Sequence, residues 1–123
     1  MIVKQLNIGI IGLGTVGTGV IETIEHKRSL LKKKYNVNIN ILGVSAKNKN
    51  KKRAFNINKY NWYSNPLDII DIPNINIIVE LIGGHSGLAL KIAKKTLMRK
   101  KYLITANKAL LAVHGELLSK IAK

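Results

Sequence analysis

The chain has no cysteine, which excludes disulfides, thiolate zinc sites and cysteine nucleophiles. Acidic residues are scarce as well: 6 Asp and Glu stand against 21 Lys and Arg, a formal net charge of +15. Aromatic residues make up only 5%, and there are two prolines. No apolar run approaches the roughly 20 residues needed to cross a bilayer. The stretch from Ile8 to Val16 is short, interrupted by glycines and without a small-residue cleavage pattern, so it is not a signal peptide. His26, His85 and His114 stand far apart with no ligand spacing, so they assemble no metal site. These absences point to a cytoplasmic protein with no membrane partner.

The surplus of positive charge invites a nucleic-acid reading, but the kind of cation argues against a specific one. Lysine outnumbers arginine 18 to 3, and Asn and Ile are equally overused. All three share A/T-rich codons, so a biased genome yields this composition without selection for a partner. Base readers and single-strand binders rely on arginine and aromatic platforms, both sparse here. Charge alone supports weak, salt-sensitive binding to nucleic acid and no specific recognition.

The most informative segment is Leu6-Asn7-Ile8-Gly9-Ile10-Ile11-Gly12-Leu13-Gly14-Thr15-Val16-Gly17. It reads as a buried strand, a glycine turn and the start of a helix, with Gly12, Gly14 and Gly17 at the G-x-G-x-x-G spacing of a dinucleotide-binding fingerprint. Gly12 permits the tight turn, Gly14 lets a pyrophosphate approach the backbone, and Gly17 lets helix and strand pack closely. The helix then offers free N–H groups and its positive dipole end to the phosphates. A purely structural glycine turn is the bland alternative; the apolar strand before and periodic helix after favour the nucleotide.

With 46% hydrophobic residues in 123, the chain is one globular domain or part of one. Strands alternate with helices along it, the pattern of an α/β parallel sheet. A strand at residues 5 to 12 leads to a helix whose buried stripe is Val16, Val20, Ile21 and Ile24, with Glu22, Glu25, Lys27 and Arg28 opposite. Lys32-Lys33-Lys34 suits that helix's C-terminus. A second strand spans Asn38 to Ser45, and the polar run from Lys47 to Arg53 is a surface loop. Residues 54 to 66 carry no clear pattern. Asn65-Pro66 starts a short helix through Ile70, and Pro73-Asn74 ends it.

The nearly continuous apolar run from Ile75 to Ile82 predicts a strand covered on both faces. Gly83-Gly84 ends it, and Ser86 can cap a helix buried along Ala89, Ile92, Ala93, Thr96 and Leu97, with Lys91, Lys94, Lys95 and Arg99 facing away. A fourth strand, Tyr102 to Thr105, leads into Ala106-Asn107-Lys108 and a helical region broken at Gly115.

Chemistry in such a sheet collects at the carboxyl ends of the strands. After the second strand, NAD enzymes usually place an acid for the ribose 2′-hydroxyl, whereas NADP enzymes offer a cation. Here Ser45-Ala46-Lys47 has no acid, so Lys47 can meet a 2′-phosphate, helped by Lys49 or Arg53, or else sit in a solvated loop. After the third strand, Gly83-Gly84 would let a ribose or nicotinamide lie close, and His85 reads as a loop histidine. Asn107 looks like an N-cap, which puts Lys108 just inside a helix N-terminus. That placement opposes the macrodipole at a cost of about 0.3–1 kcal/mol. A local rule broken at a strand's carboxyl end points to function, although chance placement is credible where lysine is so abundant.

Three blocks of the sequence together resemble the homoserine dehydrogenase family. They are Gly12-Leu13-Gly14-Thr15-Val16-Gly17-Thr18-Gly19-Val20; Val79-Glu80-Leu81-Ile82-Gly83-Gly84; and Thr105-Ala106-Asn107-Lys108-Ala109-Leu110-Leu111-Ala112, followed by His114-Gly115-Glu116-Leu117. The first is shared by many dehydrogenases; the last two together are specific, and all three fall in order along the chain. The resemblance implies a Rossmann-like doubly wound parallel sheet in three α/β/α layers. It also implies reduction of L-aspartate 4-semialdehyde to L-homoserine with NADPH or NADH, a step toward threonine, methionine and isoleucine. By the same likeness Gly12, Gly14, Thr15, Val16 and Gly17 hold the pyrophosphate, and Gly84 lies beside the cofactor. Asn107 and Lys108 stand near the nicotinamide and the reacting carbonyl, and Lys47 is the nearest match to a basic residue common after the second strand. His85-Ser86-Gly87 departs from the proline-containing turns of relatives, so neither His85 nor Ser86 is assigned.

Family members continue into a substrate and dimerisation domain that carries their acid–base lysine and substrate-binding acids. With four of six expected strands, residues 1–123 resemble an N-terminal NAD(P)-binding part, truncated, of an enzyme that is a homo-oligomer when intact. The fingerprint close to Met1 argues against the fused form with an aspartate kinase. Such a part is expected to bind cofactor, NADP in preference to NAD, and to have little or no dehydrogenase activity alone. A different class, a stand-alone nucleotide-sensing module, needs the fingerprint but not Asn107-Lys108 at a catalytic crevice.

Overall fold

The computed structural model describes residues 2–53, 55–82 and 87–123. The expected turn at Gly83-Gly84-His85-Ser86, including the site assigned to Gly84 and the cap assigned to Ser86, lies outside them. Four parallel strands, β1 (Lys4–Ile11), β2 (Val37–Ser45), β3 (Ile77–Glu80) and β4 (Tyr102–Thr105), form one sheet in the order β2-β1-β3-β4. The chain leaves β1 through helix α1 (Thr15–Tyr35) to reach β2 on one side. It then returns past β1 to place β3 and β4 on the other. That reversal makes the carboxyl ends of β1 and β3 a topological switch point, where ligands of open α/β sheets bind.

Alternation along β1 divides the core. Ile8 and Ile10 share a buried cluster with Leu13, Ile21 of α1, Val44 and Val79. Ile11, on the opposite face, packs with Ile78, Ile69 and Ile70 of α2 (Pro66–Ile70), and Ile92 of α3 (Leu88–Met98). Helix α4 (Lys108–Ala122) lies beside α3, where Ala93, Leu110 and Leu118 form a third cluster. The three-layer α/β/α arrangement expected from the sequence is therefore present. Coverage is uneven at β4: Tyr102 and Ile104 point to the α1 side of the sheet and are 74% and 54% exposed, and α4 exposes Leu111, Val113 and Leu117.

Several local expectations need correction. Val16 is 57% exposed rather than part of the buried stripe. The face that meets the sheet carries Gly17 and Ile21, because the carbonyl of Gly12 sits where only a glycine at position 17 leaves room. The third strand is four residues, not eight. Ile75 is buried before the strand begins, in a turn closed by its N–H to the Ile72 carbonyl, and after a last bond from the Leu81 N–H to the Ile11 carbonyl at 2.8 Å, Leu81 and Ile82 turn to pack against Gly12. Helix α4 runs unbroken through Gly115. A mid-helix glycine costs only about 1 kcal/mol, less than burial of Leu110 and Leu118 returns. Between the polar loop and α2, where the sequence shows no pattern, a 3-10 turn (Ile57–Lys59) and a single bridge from Trp62 to Val44 flank β2.

Charged residues also pack more than the sequence suggests. Lys95 does not simply face away: its Nζ donates to Asp71 Oδ2 at 2.9 Å and to the Leu67 carbonyl at 3.0 Å, tying α3 to α2. Glu25 is half-buried and accepts from Arg28 at 2.7 Å and from the Tyr60 hydroxyl at 3.3 Å, and Arg28 also donates to the Ile39 carbonyl. The Arg28 hydrogen bond holds the Glu25 carboxyl below its ordinary value of 4.5, with the charges of Arg28 and Lys59 adding to it and desolvation opposing. A carboxyl lowered on folding adds stability that is complete above its unfolded pKa and fades as pH falls through the folded one. The thermal midpoint of the wild type should therefore fall more steeply below about pH 4.5 than that of Glu25→Gln. Parallel acid profiles for the two proteins would remove this contribution.

Candidate nucleotide-binding site

The turn after β1 is built by close approach. Gly12 has φ +103°, and a Cβ there would stand 2.8 Å from the Leu81 carbonyl carbon; its N–H donates to the Ser45 carbonyl at 2.7 Å. The ends of β1, β2 and β3 are thereby drawn together. A Cβ on Gly17 would meet the Gly12 carbonyl oxygen at 2.0 Å, so this glycine is required by the fold itself. Gly14 differs: a Cβ there meets nothing within 4 Å. Nothing among the described residues demands glycine at this position, and the space beside it is open to an approaching group.

Gly14 is also the N-cap of α1, with no side-chain cap and no acidic residue in the first turn. The first helical bond runs from the Thr18 N–H to the Gly14 carbonyl. The N–H groups of Thr15, Val16 and Gly17 are left to the positive end of a 21-residue helix, the arrangement that receives phosphate. Thr15 and Thr18 share a cleft with Lys51 and Lys52 of the polar loop. Arg53 is occupied otherwise, its guanidinium donating to the carbonyls of Asn48, Lys49 and Lys51. It shapes the loop and lines the same cleft on the α1 side as Lys51 and Lys52, which the sequence did not single out, with Glu22 of α1 also at its wall.

A second cleft, of about 330 Å³, opens across the carboxyl ends of β1 and β2 and the start of α3, lined by Ile11, Ser45, Ala46, Lys47, Ile82 and Leu88. Its size and mixed lining suit a nucleoside. Lys47 is exposed at this rim and Ser45 is buried; among the described residues no carboxylate lines the cleft.

Ile11, Glu80 and Thr105 form one row across β1, β3 and β4, so the ends of β1 and β4 are about 10 Å apart at the usual strand spacing. Asn107, directly after β4, is 7% exposed and caps α4: its Oδ1 accepts from the Leu110 N–H at 2.9 Å. Lys108 is the first residue of α4 and exposed. The cap and the misplaced cation expected from the sequence are both present. The residue that sequence reading passed over is Glu80, wholly buried at the end of β3 and hydrogen-bonded to Ile82 and Thr105. A single acid closing the apolar run Ile77-Ile78-Val79 was the available signal, since acids are almost never fully buried without partners.

Comparison with known proteins places these features in context. Residues 12–123 match the family model for the homoserine dehydrogenase NAD binding domain. The homoserine dehydrogenase of Helicobacter pylori (strain ATCC 700392 / 26695) is 37% identical over 121 residues, covering 98% of this chain and 28% of that protein. The crystal structure of S. aureus homoserine dehydrogenase at pH 7.0 superposes with a TM-score of 0.89 at 40% identity, over 97% of this chain and 30% of that one. A hyperthermophilic archaeal homoserine dehydrogenase solved in complex with NADPH shares the fold, with a TM-score of 0.72 at 21% identity, over 96% of this chain and 40% of that one. The chain thus spans less than a third of the first two. Among the described residues no group of His, Cys, Asp or Glu could hold a metal, and no helix is long and apolar enough to cross a membrane.

Proposed function

This chain belongs to the homoserine dehydrogenase NAD-binding-domain family, and from that premise we propose that it binds NADPH for reduction of L-aspartate 4-semialdehyde to L-homoserine. The observation that carries the reading is the open N-terminus of α1. Among the described residues nothing fills the space where a Gly14 side chain would stand, beside three helix N–H groups without helical partners. The residues present fit the dinucleotide. Gly12, Gly14 and Gly17, with the N–H groups of Thr15 and Val16, hold the pyrophosphate against the α1 dipole. Ser45, Ala46 and Lys47 border the adenosine, Lys47 meeting the 2′-phosphate as a point charge.

The chemistry a bound nicotinamide supplies is hydride delivery to a carbonyl carbon. Asn107 fixes the start of α4, and Lys108, projecting from that start, orients the substrate and the nicotinamide by its charge. We assign the acid–base groups and the substrate-binding acids to the portion of the relatives that this chain does not match. The proposed substrate is therefore handled by the intact enzyme, a homo-oligomer, with this chain supplying the cofactor half.

Calorimetric titration tests the reading. The 123-residue chain is expected to bind NADPH at one site, about tenfold (1.4 kcal/mol) more tightly than NADH, and to turn over no aspartate semialdehyde. Absence of saturable binding by either nucleotide would remove the function; equal affinities would remove the role of Lys47.

A further inference from the structure

The buried carboxylate at the end of β3 has no place in the pyrophosphate or adenosine sites, yet it bonds both to the segment that follows β3 and to the end of β4. Glu80 has no exposed surface, and no ion pair joins it among the described residues. Its Oε1 accepts the Ile82 N–H at 2.7 Å, in the segment that packs against Gly12. Its Oε2 accepts the Thr105 hydroxyl proton at 2.7 Å. The Thr105 oxygen in turn accepts the Asn107 N–H at 2.9 Å, and Asn107 Oδ1 accepts the Leu110 N–H at 2.9 Å. An unbroken relay therefore runs from the Ile82 N–H, through a carboxylate and one hydroxyl, to the first turn of α4.

Burying a carboxylate whose partners among the described residues are neutral donors is costly, and an apolar residue of similar volume would pack at less expense. The charge has a use at this place. Helix α4 begins with a lysine and has no acid in its first turn, an arrangement that opposes its own dipole. An anion one hydroxyl removed from the cap offsets both the dipole and the Lys108 cation.

We propose that Glu80 is a positioning residue, which through Thr105 and Asn107 locks the start of α4 to the Leu81-Ile82 segment and so fixes where Lys108 stands relative to the α1 glycine turn. This rests on the nucleotide-binding reading only for what Lys108 faces; the relay itself is testable without nucleotide. Amide exchange in the free chain gives the first readout. In Thr105→Val and Glu80→Ala, exchange at Asn107, Leu110 and Leu111, whose N–H groups are bonded at the start of α4, should quicken by about tenfold or more, while β1 and α1 amides keep their rates. Thr105→Ser, which retains the hydroxyl, should behave as wild type. Uniform acceleration across the chain would reduce Glu80 to a general stabiliser, and unchanged rates in α4 would break the relay; either overturns the proposal.

NADPH affinity gives the second readout, as a double-mutant cycle. Lys108→Ala should weaken binding about tenfold in the wild-type background and less than about twofold in Thr105→Val, where the lysine has already lost its place. Equal penalties in both backgrounds would contradict the positioning role. A chain that fails to bind NADPH yet shows the localised exchange would sink the functional reading and leave the relay standing.

Discussion

Gly17→Ala should unfold the β1–α1 turn, whereas Gly14→Ala should leave the fold in place and abolish nucleotide binding. The two glycines are three residues apart in one fingerprint, and their surroundings are opposite. A methyl group at position 17 would lie 2.0 Å from the Gly12 carbonyl oxygen, far inside contact distance, and backbone cannot step aside as a flexible side chain can. The penalty should reach about 3 kcal/mol or more, a large share of a small domain's stability. At position 14 the same methyl group meets nothing within 4 Å among the described residues, and φ of −76° suits any residue. The cost there should be about 0.5–1 kcal/mol, from exchanging glycine for a poorer N-cap. The methyl would instead occupy the approach of the pyrophosphate and reduce NADPH affinity at least about a hundredfold (~2.7 kcal/mol). Urea unfolding midpoints and calorimetry on both variants separate the effects. Wild-type affinity in Gly14→Ala would mean that the open space serves no phosphate.

The second large effect is expected in the sheet. Ile10 is wholly buried on β1, flanked by Val44 of β2 and Val79 of β3 and packed in one cluster with Ile21 of α1. Ile10→Ala should cost about 2–5 kcal/mol, the spread reflecting how far the surroundings close on the cavity. Ile104, on the uncovered face of β4 and 54% exposed, gives the contrast: Ile104→Ala should change stability by less than about 0.5 kcal/mol. Chemical denaturation reads both. Equal losses at the two positions would mean that β4 is covered in solution and that the sheet is not bounded as described.

Much of this architecture is legible in the sequence where a local signal coincides with a global one. The fingerprint names its strand, turn and helix together, and Asn65-Pro66 and Asn107 start helices as their side-chain chemistry directs. Legibility fails where a distant contact decides. Val16 fits the helical stripe by spacing, yet the Gly12 carbonyl turns that face toward Gly17. Gly115 reads as a break, yet burial on either side carries α4 through it. Residues after the basic loop show no period because Trp62 and Tyr60 find their partners in β2 and α1. Glu80 is the functional counterpart of these cases. Its motif is visible in the sequence, but its bonds to Ile82 and, across strands, to Thr105 exist only in the folded sheet.

The central claim is that the α1 glycine turn and the start of α4 face one nucleotide. Backbone amide NMR during NADPH titration tests it most directly. The amides of Gly14, Thr15 and Val16 and those of Asn107 and Lys108 should shift together and saturate along a single binding curve. Shifts confined to one of the two places, or two curves with different midpoints, would contradict a shared site.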